Sequence, residues 1–158
     1  MSYEEIFRQL NRRHIDYIVV GGVALVMHGI VRLTADLDLM VYLEEKNLKK
    51  FISLMGELGY KPRMPVLADD LADSVQRTCG IQEKNMEVFS FYHYRQALSL
   101  IDVFIKEPLP YREIKSRAVQ MKIGNLSVPV VSKEDLIKLK EISGRPQDME
   151  DISALKRL

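Results

Sequence analysis

The chain has 158 residues, 47% of them hydrophobic, with 23 Lys and Arg against 22 Asp and Glu for a net charge of +1. That balance gives no global pull toward nucleic acid or anionic lipid, so any basic surface is local, and the single cysteine, Cys79, excludes an intrachain disulfide. The charged start MSYEEIFRQLNRRH lacks an apolar signal core, and no apolar run is long enough to span a membrane, so the expectation is a cytoplasmic protein without a membrane partner.

In chain order, Ser2 followed by Glu5 reads as a capping box opening a helix through Arg13. IDYIVVGG (15–22) is a β-branched run stopped by two glycines, which predicts a strand ending in a tight turn. VALVMHGI (23–30) is apolar on nearly all sides and reads as a short buried helix. DLDLMVYL (36–43) alternates as a strand does. Residues 45–60 carry apolar side chains at 48, 51, 52, 55 and 58, the spacing of an amphipathic helix closed by Gly59. Pro62 and Pro65 break the pattern that follows, and ADDLADSV (68–75) reads as a short helix or a surface loop. Strands are predicted at 86–94 and 98–105, a helix at 111–120, and a hairpin over 121–131 turning at Gly124-Asn125. Ser132 with Asp135 caps a helix that stops at Gly144, and Pro146 opens the last helix. The reading is an α/β (α+β) fold: a small mixed sheet flanked by helices, closed by a C-terminal helical pair. One domain over 1–158 is expected, with an α/β core at 1–131 and a helical segment at 132–158.

The chemistry gathers at Asp36 and Asp38. On a strand they project to one face, while Leu37 and Leu39 anchor the other. Two carboxylates at that range repel unless a cation, a proton or water relieves them. Mg²⁺ does this well, because it is a hard ion that takes oxygen ligands and keeps waters and substrate phosphates. A lone D-x-D also suits a solvated strand face, and a lone Gly-Gly suits a plain turn. Together, Gly21-Gly22 with bare backbone N–H groups and the two aspartates supply both halves of a metal–triphosphate site.

The order of strand, Val20-Gly21-Gly22, helix, then Asp36-Leu37-Asp38-Leu39 resembles the polymerase-β-like nucleotidyltransferase superfamily. Arg32-x-Thr34 ahead of the aspartates resembles its small bacterial members, the abortive-infection-type toxins. The resemblance implies a third carboxylate on a later strand. Asp102 in LSLIDVFI is the choice over Glu87, and a strand-end aspartate capping a turn is its plain alternative. It also implies that Asp36, Asp38 and Asp102 hold Mg²⁺ (or Mn²⁺), with an NTP as substrate. DLIKLKEISGRPQDMEDI (135–152) resembles the family's closing motif, and the matching positions are Lys140, Arg145, Asp148 and Asp151. Gln147 stands where the family often has a lysine. The nucleotide-binding set implied is Gly21, Gly22, Arg32, Thr34, Lys140, Arg145 and Asp148. A solvated helix face for Lys140 and first-turn helix acids for Asp148 and Asp151 are the alternatives.

The activity implied is transfer of NMP from an NTP to a hydroxyl of an unidentified acceptor, with pyrophosphate released. The acceptor classes open are tRNA, a small molecule and a protein. Two other classes stay in view: a catalytically silent nucleotide-binding module, and a toxin–antitoxin type protein whose antitoxin partner completes or blocks the site. A second copy of the chain could also finish the groove. His28 reads as a packed or surface histidine, and no serine lies in a G-x-S-x-G context. Tyr92 and Tyr94 read as packing residues.

Overall fold

Seven strands form one mixed sheet in the computed structural model, which describes residues 2–64, 67–84, 87–96 and 98–158. Pro65 and Met86, both used in the sequence reading, lie outside the described residues. The first helix, α1 (Tyr3–Arg12), starts where the Ser2 hydroxyl accepts the Glu5 amide at 3.2 Å. Then come β1 (Tyr17–Val20), α2 (Gly21–Met27), β2 (Leu37–Val41), α3 (Glu45–Glu57) and β3 (Tyr60–Pro62). A 3₁₀ turn at Ala68–Leu71 leads into α4 (Ser74–Lys84). The remaining elements are β4 (Val88–His93), β5 (Leu100–Phe104), α5 (Tyr111–Arg117), β6 (Val119–Ile123), β7 (Leu126–Val130), α6 (Lys133–Ser143) and α7 (Pro146–Lys156).

The strand order is β3-β4-β5-β2-β1-β7-β6. β2 runs parallel to β5 and β1 parallel to β7, while the other neighbours are antiparallel. β1 and β2 lie in the middle and are apolar enough to be buried there. All four residues of β1 are buried, as expected of a strand covered on both faces. β4 and β5, beyond β2, alternate instead. Phe89, Phe91 and His93, with Ile101 and Val103, are buried on one face, and their neighbours are half-buried on the other. The buried face carries the main core, where Phe51 of α3 meets Phe91 edge-on at 5.9 Å between ring centres.

Several boundaries move from their expected places. β1 stops at Val20, where the two glycines follow as expected, but Gly21 and Gly22 open α2 themselves, two residues ahead of the helix start expected at Val23. The helix over 45–60 ends at Glu57, because Gly59 takes a φ of +87° and Tyr60 turns out to open edge strand β3. The helix expected over 111–120 ends at Arg117. Ala118 is extended, and Val119, β-branched, pairs with Val130 in the sheet. The stretch left as short helix or loop holds the 3₁₀ turn and a longer helix, whose first turn is capped by the Asp73 carboxylate accepting the Val75 amide at 2.8 Å. The hairpin turn at Gly124-Asn125 is found as expected, with Ile123 facing Leu126. So is the Gly144 stop, where φ is +64°.

Leu39 is fully buried between Val19 and Val103 of the flanking strands. Leu39→Ala should cost about 2–5 kcal/mol, read from urea unfolding.

Candidate active site

The parallel pairing of β2 with β5 puts Asp38 directly beside Asp102. Direct partners point to the same face, so two carboxylates from distant parts of the sequence meet side by side. Asp36, two residues before Asp38, belongs to that face as well. The opposite face takes Leu37 and Leu39, both fully buried. Each strand is therefore apolar beneath and acidic above, and the core packing fixes where the acids stand.

The electrostatics follow from that crowding. Burial first, then the neighbouring Asp102 charge, push the Asp38 carboxyl up to about 6. The Gly22 N–H and the charge of Lys140 act against the rise. Asp36 is also raised, by burial and by Asp102, with Arg63 opposing. Tyr3 stands close by: its hydroxyl donates to the Ala35 carbonyl at 2.8 Å, and burial, Asp36 and Asp38 all raise its pKa.

The glycines explain how α2 comes so near. Gly21 has a φ of +65°, and a Cβ there would land inside the Asp38 carboxylate. A Cβ on Gly22 would lie 2.5 Å from the Thr34 hydroxyl oxygen. Two bare backbones thus allow the start of α2 to lie against Asp38 and Thr34. Thr34 in turn donates a long hydrogen bond, 3.4 Å, to the Asp36 carbonyl.

The C-terminal motif forms a second cluster. Lys140 is 6% exposed, 2.9 Å from Asp151 and 3.3 Å from Asp148. Asp151 is also paired with Arg32, the residue two before Thr34. Asp148 accepts from the Arg145 side chain at 3.0 Å and its amide at 3.1 Å. Burial would raise the Asp148 carboxyl, but Arg145, Ser143 and Lys140 together hold it down to about 2. Arg145 itself is largely exposed and feels the charge of Asp38. Lys140 is therefore neither on a solvated face nor free: it is a buried cation held between two carboxylates, with its field reaching Asp38.

The three acids offer hard oxygen donors to a cation from one face of the sheet. Among the described residues, no three His, Cys, Asp or Glu side chains converge into a closed metal cluster. Asp102 Oδ1, however, is buried with no hydrogen-bond partner among those residues. A buried carboxylate oxygen without a partner is costly. An open set of hard oxygen donors suits Mg²⁺, which completes its shell with water and phosphate oxygens. The donor set fits.

The structure thus brings Asp36, Asp38, Asp102, Gly21, Gly22 and Thr34 into one place, with Lys140 and Arg145 within electrostatic reach. Arg32 and Asp148 stand behind, as partners of Asp151, Lys140 and Arg145. Glu87 is exposed at the start of β4. Gln147 is exposed on the first turn of α7. His28 Nε2 lies 2.8 Å from the Val131 carbonyl, as a packed histidine would. Tyr92 and Tyr94, read as packing residues, divide from Phe91 and His93: Tyr92 is half-buried and Tyr94 is 53% exposed. Arg63 and Tyr3 were missed. Neither sits in a motif; the sheet register brings Arg63 near the acids, and the hydrogen bond from Tyr3, at the start of α1, to the Ala35 carbonyl brings Tyr3 there.

Comparison with known proteins finds a family and a fold for this chain. The family model described as "Nucleotidyltransferase of unknown function (DUF6036)" matches residues 2–156. No curated protein matches the sequence. Among solved structures, the fold resembles lincomycin-bound LnuA, a lincosamide antibiotic adenylyltransferase, with a TM-score of 0.61 at 17% identity over 99% of this chain and 97% of that one. It also resembles ANT(2″)-Ia in complex with adenylyl-2″-tobramycin (TM-score 0.60, 14% identity, 96% and 84% covered). A third similar structure is TM1012 of Thermotoga maritima (TM-score 0.58, 12% identity, 98% and 89% covered).

Two outcomes follow from the charges. A carboxyl raised by folding opposes the fold once ionised, so stability falls as pH rises from the ordinary aspartate range through about 6. Asp38→Asn should therefore stabilise the metal-free protein at pH 7.5, by on the order of 1 kcal/mol, with the gain vanishing near pH 3. Urea unfolding at several pH values checks this. Lys140→Met leaves Asp148 and Asp151 undercompensated and should destabilise by about 3 kcal/mol in the same assay.

Proposed function

The chain belongs to the DUF6036 family of nucleotidyltransferases, and on that premise we propose that it transfers a nucleoside monophosphate from an NTP to a hydroxyl of a separate acceptor in a Mg²⁺-dependent reaction. The observation that carries this reading is the register pairing of Asp38 with Asp102, with Asp36 on the same face and Gly21 against Asp38.

Asp36, Asp38 and Asp102 would hold Mg²⁺ (or Mn²⁺), which when bound neutralises phosphate charge and favours ionisation of the acceptor hydroxyl. The residues of the chain do the rest. Gly21 and Gly22 let the triphosphate approach the backbone at the start of α2. Lys140 and Arg145 add positive charge on that side, Lys140 from a fixed position and Arg145 from an exposed one. Asp102 orients the acceptor hydroxyl and takes its proton. The hydroxyl oxygen forms a bond to the α-phosphorus as the bond from that phosphorus to the pyrophosphate oxygen breaks. Pyrophosphate leaves, and the proton passes from Asp102 to water. Thr34 and Arg32 position the segment that carries Asp36, Arg32 through its pairing with Asp151.

A second reading, in which a partner protein covers the site, is favoured by one observation. Val31 and Leu33, on either side of Arg32, are fully exposed apolar side chains. An antitoxin-type partner or a second copy would bury them, and light scattering of the purified chain would show a dimer in the latter case.

The test is isothermal titration of each NTP with and without Mg²⁺. Wild type should bind one NTP in a Mg²⁺-dependent manner, and Asp38→Asn or Asp102→Asn should weaken that binding at least ~10-fold with the fold intact by circular dichroism. Binding that is indifferent to Mg²⁺ and to both substitutions would sink the metal role.

A further inference from the structure

The sheet register also places cations in line with the acids, on the side away from the glycines. Ser90 of β4 pairs with Asp102, and Asp102 with Asp38. The Arg63 amide donates to the Ser90 carbonyl at 2.8 Å, which continues the same row past the end of β3. The next row on this face runs Lys61, Tyr92, Leu100. Asp36 precedes Leu37, the partner of Ile101, and so flanks the Leu100 end of that row. Lys61, Arg63, Ser90 and Tyr92 therefore share the face that carries the carboxylates.

That face is open over β4 and β5. Ser90, Tyr92, Leu100 and Phe104 are half-buried there, whereas Phe91, Ile101 and Val103 are buried on the other side. Lys61 and Arg63 are exposed, and neither side chain makes an ion pair or hydrogen bond among the described residues. The field of Arg63 nonetheless reaches Asp36. Neighbouring strands lie about 4.8 Å apart, so Arg63 stands roughly 10 Å across the sheet from Asp102.

The acids thus have two flanks. On the β1 side lie Gly21, Gly22, Lys140 and Arg145, where a triphosphate would sit. On the β4 side lie Tyr92, Lys61 and Arg63, and a hydroxyl poised at Asp102 would extend its parent molecule over them. We infer that this flank binds the acceptor and that the acceptor carries a phosphate group, held by Arg63 and Lys61, with a ring lying on Tyr92. The inference rests on the nucleotidyl-transfer reading above. Two unpaired cations beside the acids disfavour an acceptor built of amino groups and favour an anionic one.

The experiment uses the full chain, Mg²⁺ and each α-³²P-labelled NTP, with four probes. These are ribose 5-phosphate, a 5′-phosphorylated oligoribonucleotide with a free 3′-hydroxyl, tobramycin and lincomycin. Label transfer is measured for each, together with equilibrium binding in the presence of a non-hydrolysable NTP. The expected result is binding or labelling of a phosphate-bearing probe. Which of the two responds tells a free sugar phosphate from a nucleic-acid end. R63E and the milder R63Q, and K61E likewise, should raise the KM or Kd for that probe at least tenfold, and K61E, at a residue whose charge is not among those acting on Asp36 and Asp38, should leave NTP binding within twofold. Preference for tobramycin or lincomycin overturns the inference, as does indifference to both substitutions at Arg63. So does failure of every phosphate-bearing probe to bind a protein that still binds Mg²⁺–NTP. A wild type that binds no NTP overturns this inference and the nucleotidyl-transfer reading together.

Discussion

Repulsion between carboxylates is the constraint around which this molecule is arranged. Asp36, Asp38 and Asp102 occupy one face of two adjacent strands, and Asp38 sits high on its titration scale because of burial and that company. A fold left to maximise its own stability would not keep them. They stay where they are because the opposite face of the same strands is buried. Leu37, Leu39, Ile101 and Val103 pin the register, and a slip by one residue would turn every side chain over. The stability of the core is what holds the strained acidic face in place.

The C-terminal helices address the same problem from the other direction. Lys140 is carried into the interior only because Asp148 and Asp151 accompany it. Asp151 then reaches Arg32, in the segment leading to Asp36. The chain of charges runs Asp148, Lys140, Asp151, Arg32, and it ties the last helix to the segment that leads into β2. In the folded chain the residues of the C-terminal motif form a brace. Its charge reaches the acids from a distance, and of Lys140, Arg145, Asp148 and Asp151 only Arg145 stands largely exposed.

Much of this was legible in the sequence, for reasons that can be named. Asp36 and Asp38 were visible because period-two alternation is a local property. Asp102 was visible as the lone acid in an apolar strand, and Gly21-Gly22 as the stop to a β-branched run. The helix caps at Ser2, Ser132 and Gly144 were legible because capping is decided within a few residues. What could not be read was anything set by pairing between distant strands. Nothing in residues 61–63 announces a strand, since Pro62 argues against one, and the edge position of β3 is what tolerates it. Arg63 therefore had no visible relation to Asp102. The end of α5 was misplaced because Val119 obeys its cross-strand partner Val130 over its helical neighbours.

The pairings of β2 with β5 and of β1 with β7 carry a consequence for biosynthesis. Asp38 meets Asp102 only when β5 has docked, and Val19 meets Val130 only when more than a hundred further residues have been made. Parallel partners so far apart in sequence are late to close, because the loop entropy must be overcome before the contacts form. On the ribosome, all three acids emerge before Lys140 and Arg145. A nascent chain thus cannot bring the acids and those basic groups together until residues 140–145 have been made, and a product terminated before them would carry the acidic strand without them.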